Sequence, residues 1–425
     1  MKTHNVSIIP QESYNKEIIA AKIGAWFDKN NFSFQNKVIM LKPSFVLPSG
    51  NKKLTISTNT HNSIIIGVAK ALSLRSAKKI LIAEHKTIGP ARFSFVSVNI
   101  KKWIKNIPNV ELCFLDEVKM ITKRLENSFI DDYSIKFPKI LLDGTVDYLI
   151  SLPKLKTNIF SRVSLSVKNN FGLINKKDRL KYHGSALEKH LASIHLLRTP
   201  NIIITDAIIS GEGQGPQSTT PIETHMLICG TNCLAVDAVS CYLMGIDAQE
   251  VQHLRLLEER GMGTLDCNQV EIENQKYLES RKRKFKCPSN ELKNINNVTI
   301  FKGRNICKGG CLAMLRSALD GYTSKKNGNH AINKKIQIII GKDAEVPDNI
   351  LKGLKKNETI IFGDCASKYK HFGVFFNGCP PDYLKTSIQL EYSIGLGKSS
   401  LSTNIPTKKL LNSYIHHIFS KLFYK

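Results

Sequence analysis

Short apolar runs alternate with helix-patterned segments along most of this chain, and that alternation constrains its fold more than any other feature. Residues 38–41, 79–84, 110–115, 147–152 and 201–206 read as strands of four to six residues. Between and around them, residues 12–28, 61–74, 117–124 and 187–197 carry apolar side chains at helical spacing. Strands that are apolar throughout, rather than alternating with polar residues, are buried on both faces. They therefore indicate a mostly parallel sheet flanked by helices, an α/β fold. The pattern weakens through a polar, basic stretch after Gly263. It resumes with strands at 298–301, 336–340 and 359–362 and a helix at 312–319. The expected organisation is an α/β domain over 1–270, a basic linker over 271–297 and a smaller α/β, cysteine-containing domain over 298–400. An amphipathic basic helix follows over 401–425, carrying Leu410, Leu411, Tyr414, Ile415, Ile418 and Leu422.

In such sheets ligands collect beyond the carboxyl ends of the strands. The polar residues at those ends are the first site candidates: Lys42, Glu84, Lys154 with Lys156, and Asp206. Residues 151–183 carry eight basic side chains and one acidic one within a chain of net charge +26. An excess of this size favours encounter with anions. Lys154 and Lys156 flank one apolar residue just past a strand, so both point to the same side. With Lys42, Lys168 and Asn169 they suit a phosphate or carboxylate group. A glycine-rich turn, Gly211-Glu212-Gly213-Gln214-Gly215-Pro216, follows the strand ending at Asp206 and brings backbone and Glu212 toward a ligand. It is neither a dinucleotide fingerprint nor a P-loop. His183 and His61 are single histidines able to act as acid–base groups. The basic runs lack the interleaved aromatics of a single-strand platform, which argues against nucleic acid as a partner.

Ten cysteines in 425 residues are too sparse for a disulfide scaffold. The first ten residues lack the pattern of a secretory signal, and no apolar run reaches the about 20 residues of a membrane span. The expected compartment is a reducing cytoplasm. Four cysteines stand beside glycine or proline: Cys307-Lys-Gly-Gly-Cys311, Gly363-Asp-Cys365 and Gly378-Cys379-Pro-Pro. Four thiolates suit an iron–sulfur cube or a structural zinc. The neighbouring glycines favour the cluster, whose size and negative charge reward nearby N–H donors. Cys229 and Cys233 have ligand-like spacing, but the run from Cys233 reads as a core helix.

Taken together, several segments resemble the family known as domain of unknown function 362, whose members are described as uncharacterised iron–sulfur centre proteins. They are Leu41-Lys42-Pro43, Ala83-Glu84, Asp147 through Thr157 with its Pro153-Lys154-Leu-Lys156 core, Ser164 through Gly172, His183 and Asp206-Ala. Glu212-Gly213-Gln-Gly215-Pro216, Ala235-Val-Asp237-Ala and Leu243-Met-Gly245 complete the set. The resemblance implies an α/β domain associated with iron–sulfur clusters and no agreed substrate. Ser44 and Asn158 stand where relatives often have Asn and His, and the compact ferredoxin-like insert of many relatives is absent. The Cys307, Cys311, Cys365 and Cys379 set resembles the other cysteine arrangement found beside this domain, which implies a [4Fe–4S] cluster. The resulting expectation is a redox or cluster-assisted enzyme acting on an anionic small molecule and meeting an acidic electron carrier. The alternative is a non-redox acid–base enzyme or binding module with structural cysteines.

Overall fold

A computed structural model describes residues 4–46, 49, 51–85, 89–289, 292, 295–322, 324–326, 329–399 and 406–423. The chain divides into two compact units. The first comprises Met1–Asp178, Glu188–Pro288 and Pro406–Lys425; the second comprises Arg179–Leu187 and Ser289–Ile405.

The first unit is built on a large mixed sheet. Its strands are β1 (His4–Pro10), β2 (Val38–Pro43), β3 (Lys79–Glu84), β4 (Val110–Phe114), β5 (Tyr148–Leu152), β6 (Lys154–Asn158), β7 (Arg162–Ser164), β8 (Ile202–Gln214), β9 (Ser218–Gly230) and β10 (Val270–Glu273). The order across the sheet is β10-β1-β9-β8-β5-β2-β3-β4, with β6 pairing β8 and β7 off that path. From β8 through β5, β2 and β3 to β4 every pairing is parallel. The long antiparallel hairpin of β8 and β9, and β1 beside it, extend the other edge. The chain leaves β2 toward β3 and β4, then returns to lay β5 and β8 on the opposite side. The ends of β2 and β5 therefore flank a topological switch point, where open α/β sheets bind ligands.

Both faces of the sheet are covered, which explains the unbroken apolar runs. Ile39, Leu41, Ile80, Ile82, Ile150, Leu152, Ile202 and Ile204 pack under helices α1 (Lys16–Lys29) and α2 (Asn62–Ser73). Ile203, Ala207, Met226 and Ile228 face the opposite way, into a cluster with α3 (Cys233–Leu243). Cys229 and Cys233 are buried in these cores and their thiols are pushed up by burial, consistent with a structural role. All ten cysteines are free.

Three segments differ from the sequence expectation. Residues 117–124 form no helix; Met120–Arg124 is a strand, antiparallel to Ser134–Pro138. Its β-branched and long side chains suit either state, and the distant partner strand decides. Within 271–297, β10 pairs with β1, and the helix Gln275–Arg281 buries Leu278 in the first unit's core. The boundary falls instead at Pro288. Residues 179–187 leave the α/β unit for the second one, whereas the last helix, α4 (Thr407–Phe423), joins the first. The side chain of Leu422 lies outside the described residues.

The second unit carries a mostly parallel sheet ordered β11 (Ile295–Lys302), β12 (Asn329–Ile340), β13 (Thr359–Phe362) and β14 (Val374–Phe376), with a short strand Ser324–Lys326 antiparallel to β12. Among the described residues of the whole chain, no helix is long and apolar enough to cross a membrane.

Candidate functional site

Each unit gathers its chemistry-bearing residues past the carboxyl ends of its parallel strands. In the first unit, Lys42 ends β2 and Lys154 follows the end of β5, one on each side of the switch point. Both side chains are fully buried. Lys42 Nζ donates to Glu84 Oε2 at 2.9 Å and to the Pro43 carbonyl at 2.7 Å. Glu84 also accepts from the backbone N–H groups of Phe45 and His85. Lys154 Nζ lies 3.0 Å from Asp206 Oδ2 and 2.8 Å from Tyr14 Oη. Tyr14 donates to Asp206 Oδ1 at 2.9 Å, and the backbone N–H of His61 donates to Asp206 Oδ2 at 2.9 Å. Burial works against every charge here. It raises Glu84 despite Lys42, lowers Lys154 despite Asp206, and raises Tyr14 well above its ordinary value with the help of Asp206.

Lys156 differs from its neighbours. Its fully buried ammonium donates to the carbonyls of Thr58 and Pro216. Among the described residues it has no carboxylate within ion-pair distance. Burial first, then repulsion from Lys154 and Lys168, lowers it well below the usual lysine range. Burial likewise brings Lys168 to about 8, with Glu188 opposing. Within the basic stretch 151–183, Lys154 and Lys156 are enclosed and Lys154 is neutralised by Asp206, whereas Arg162, Lys177 and Lys181 are exposed.

The surrounding residues hold this arrangement in place. Asn169 donates through Nδ2 to the Lys42 carbonyl and to Ser151 Oγ, joining the short helix Ser166–Asn169 to β2 and β5. Asp237 accepts from the N–H groups of Ser166 and Val167 and from Ser166 Oγ, fixing the start of that helix. Gly172 lets the backbone approach the Lys42–Glu84 pair: a Cβ there would stand 2.5 Å from Lys42 Nζ and 2.6 Å from Glu84 Oε1. Gly213 and Gly215 lie at the tip of the β8–β9 hairpin, where the Gly213 carbonyl accepts from Thr157 and the Gly215 carbonyl from Ile159 N–H. Glu212 ties that hairpin to the chain at Lys286, whose N–H donates to Glu212 Oε2 at 2.8 Å. Asn158 caps its own turn, accepting from Phe160 and Ser161 N–H groups.

Tyr14 was not flagged by the sequence, because it precedes the strands it joins; a lone tyrosine just before a helix carries no motif. His61 is the more informative addition. Its Nδ1 accepts the N–H of Ser63 as the cap of α2, and its ring stacks on Tyr14 with centroids 3.8 Å apart. Burial brings His61 down to about 4, Asp206 opposing and Lys154 assisting, and burial brings His195 to about 4 as well. The unfolded chain takes up these protons near pH 6.5, the folded chain only near 4. Stability should therefore fall as pH drops through that window, by about 2 kcal/mol for each histidine between pH 7.5 and 5. Urea unfolding at both pH values measures this, and His61→Gln should remove its share. Equal losses in the variant and the parent would exclude His61.

The second unit brings its four cysteines together. Cys365 and Cys379 follow the ends of the adjacent strands β13 and β14, whose last residues Phe362 and Phe376 are paired. Cys307 lies in the loop after β11, and Cys311 leads into the helix Ala313–Leu319. Burial raises Cys311 to about 12, and repulsion from Cys307, Cys379, Cys365 and Asp364 adds to it. Four thiols gathered past the ends of one sheet are the donor set that an iron–sulfur cube or a single zinc ion takes. Gly363 permits the crowding: its φ is +84°, and a Cβ there would lie 2.9 Å from Cys311 Sγ. His183 belongs to the second unit, next to Gly184, whose Cβ position is 3.9 Å from Cys379 Sγ.

A parallel-cored α/β unit with buried lysines at its switch point, in one chain with a four-cysteine unit, is the class these features define. Residues 39–242 match the family described as Domain of unknown function (DUF362), and the chain carries a DUF362 domain. It is also 27% identical over 268 residues to a thylakoid-associated protein of Synechocystis sp., a match covering 61% of this chain and 80% of that protein. No solved structure matches.

Proposed function

We propose that this is an iron–sulfur protein in which Cys307, Cys311, Cys365 and Cys379 hold a [4Fe–4S] cluster, and that it acts as a redox or cluster-assisted enzyme on an anionic small molecule. The observation that carries the reading is the four-thiol set beyond the β11, β13 and β14 ends, in which Cys307, Cys379 and Cys365 all act electrostatically on the buried Cys311. A bound cluster would supply one-electron transfer or an open iron as Lewis acid. The α/β unit would supply the substrate's counter-charge: among the described residues no carboxylate lies within ion-pair distance of the enclosed Lys156, a state that a bound anion would relieve. The net charge of +26 favours an acidic electron carrier. Ten unpaired cysteines suit the reducing, cytoplasmic setting in which a cluster survives.

Protein purified without oxygen should be brown, contain about four iron and four sulfide per chain, and give a paramagnetic signal on reduction. Colourless protein with one zinc per chain would replace this reading with the second one. That second reading, acid–base chemistry with structural cysteines, is favoured by the enclosed Tyr14–Lys154–Asp206 network.

A further inference from the structure

Helix α4 is docked with the wrong side out. At about 100° per residue, Ser413, His417 and Ser420 share one face, and these are its buried positions. His417 Nδ1 meets Glu117 Oε1 at 3.0 Å, and that carboxylate also accepts from Ser420. Arg92 engages the same carboxylate with two hydrogen bonds. The opposite face presents Leu411, Tyr414, Ile415, Ile418 and Phe419, an arc of about 140°; Leu411 is 62% and Ile418 55% exposed. Five of the eleven exposed large apolar side chains described in this chain thus lie on one helix face. An amphipathic helix normally buries that stripe against its own domain. Here His417 and Ser420 hold the helix through polar contacts, Leu410 packs beside Gly89, and Leu411, Tyr414, Ile415 and Ile418 are exposed.

Charge selects what covers it. The segment 407–425 contains no acidic residue, and Lys408 and Lys409 are exposed. A second copy of a chain carrying +26 would bring like charge against like. An anionic lipid surface attracts the lysines while its acyl boundary accepts leucine, isoleucine, tyrosine and phenylalanine. We propose that helix Thr407–Phe423 lies in the surface of an anionic bilayer, seated through Leu411, Tyr414, Ile415, Ile418 and Phe419, and anchors the α/β unit there.

The test is sedimentation of the full chain with vesicles of phosphatidylcholine containing one part in three phosphatidylglycerol, and with phosphatidylcholine alone. The chain should bind the anionic vesicles, and salt should weaken binding. Ile415→Glu with Ile418→Glu should reduce it on the order of a hundred-fold, and Lys408→Gln with Lys409→Gln by about thirty-fold. Both variants alter exposed positions, and unchanged circular dichroism would show that they remain folded. Absence of binding to anionic vesicles overturns the proposal, as does binding that the glutamates leave intact. A parent chain that sediments as a dimer and becomes monomeric with the glutamates assigns the face to a second copy and also overturns it.

Discussion

Replacing Asp206 with alanine should destabilise the first unit by about 3–5 kcal/mol, the usual effect of stranding a buried charge. The loss comes from what Asp206 holds. Its two oxygens receive Lys154 Nζ, Tyr14 Oη and the His61 N–H, and the side chains of Lys154 and Asp206 are fully buried. Removing the carboxylate leaves an enclosed ammonium whose remaining hydrogen-bond partner among the described residues is the Tyr14 hydroxyl. The double variant Asp206→Leu with Lys154→Met should recover most of the loss, because it strands no charge. Both tryptophans, Trp26 and Trp103, belong to the first unit, so urea unfolding followed by fluorescence reports on that unit. A single-variant loss below about 1 kcal/mol would mean that Lys154 sheds its proton or finds water, and would remove the case for a tightly enclosed network.

Cys311→Ala should abolish iron incorporation almost completely, whereas Cys287→Ala should leave it unchanged. Cys311 is the buried member of the four, and Asp364 and three other thiols act on it electrostatically. Cys287 is exposed and lies in the first unit. Gly363→Val should act like Cys311→Ala without touching a ligand. The backbone there has φ +84°, and the added side chain would enter the space of Cys311 Sγ. Iron and sulfide per chain after anaerobic reconstitution separates these outcomes. Full iron content in Cys311→Ala would remove this residue from the ligand set. Full content in Gly363→Val would show that the close backbone approach is unnecessary.

The parallel core was readable because its strands are buried on both faces. Lys79–Glu84 and Thr359–Phe362 have the extents that their apolar runs indicate. The hairpin of β8 and β9 was hidden: its outer half, with Glu212 and the glycines, is polar and reads as a turn. β1 and β10 were missed for a related reason: β10 is a four-residue edge strand, and both strands pair with segments distant in the sequence. At the site, sequence placed lysines at strand ends but could not show which acids meet them. Glu84 lies 42 residues from Lys42, and Asp206 lies 52 from Lys154. Counting positive charge along 151–183 therefore suggested an anion site, where the fold already pairs Lys154 with Asp206. The cysteines were legible through their glycines, while His183 was assigned by its neighbours in the chain rather than by its unit.

The segment Arg179–Leu187 has a consequence for how this protein is made. The cysteine unit is discontinuous: a piece of it is translated about a hundred residues before the rest, and the α/β unit receives its final helix only after the cysteine unit has been translated. Neither unit corresponds to a fragment that could be cut out at one boundary and expressed whole. A polypeptide spanning Ser289–Ile405 alone would lack the stretch containing His183 and Gly184, and a polypeptide ending at Pro288 would lack the helix that joins its own unit. The two units are thus interleaved in biosynthesis, and neither can be gained, lost or exchanged as a simple cassette.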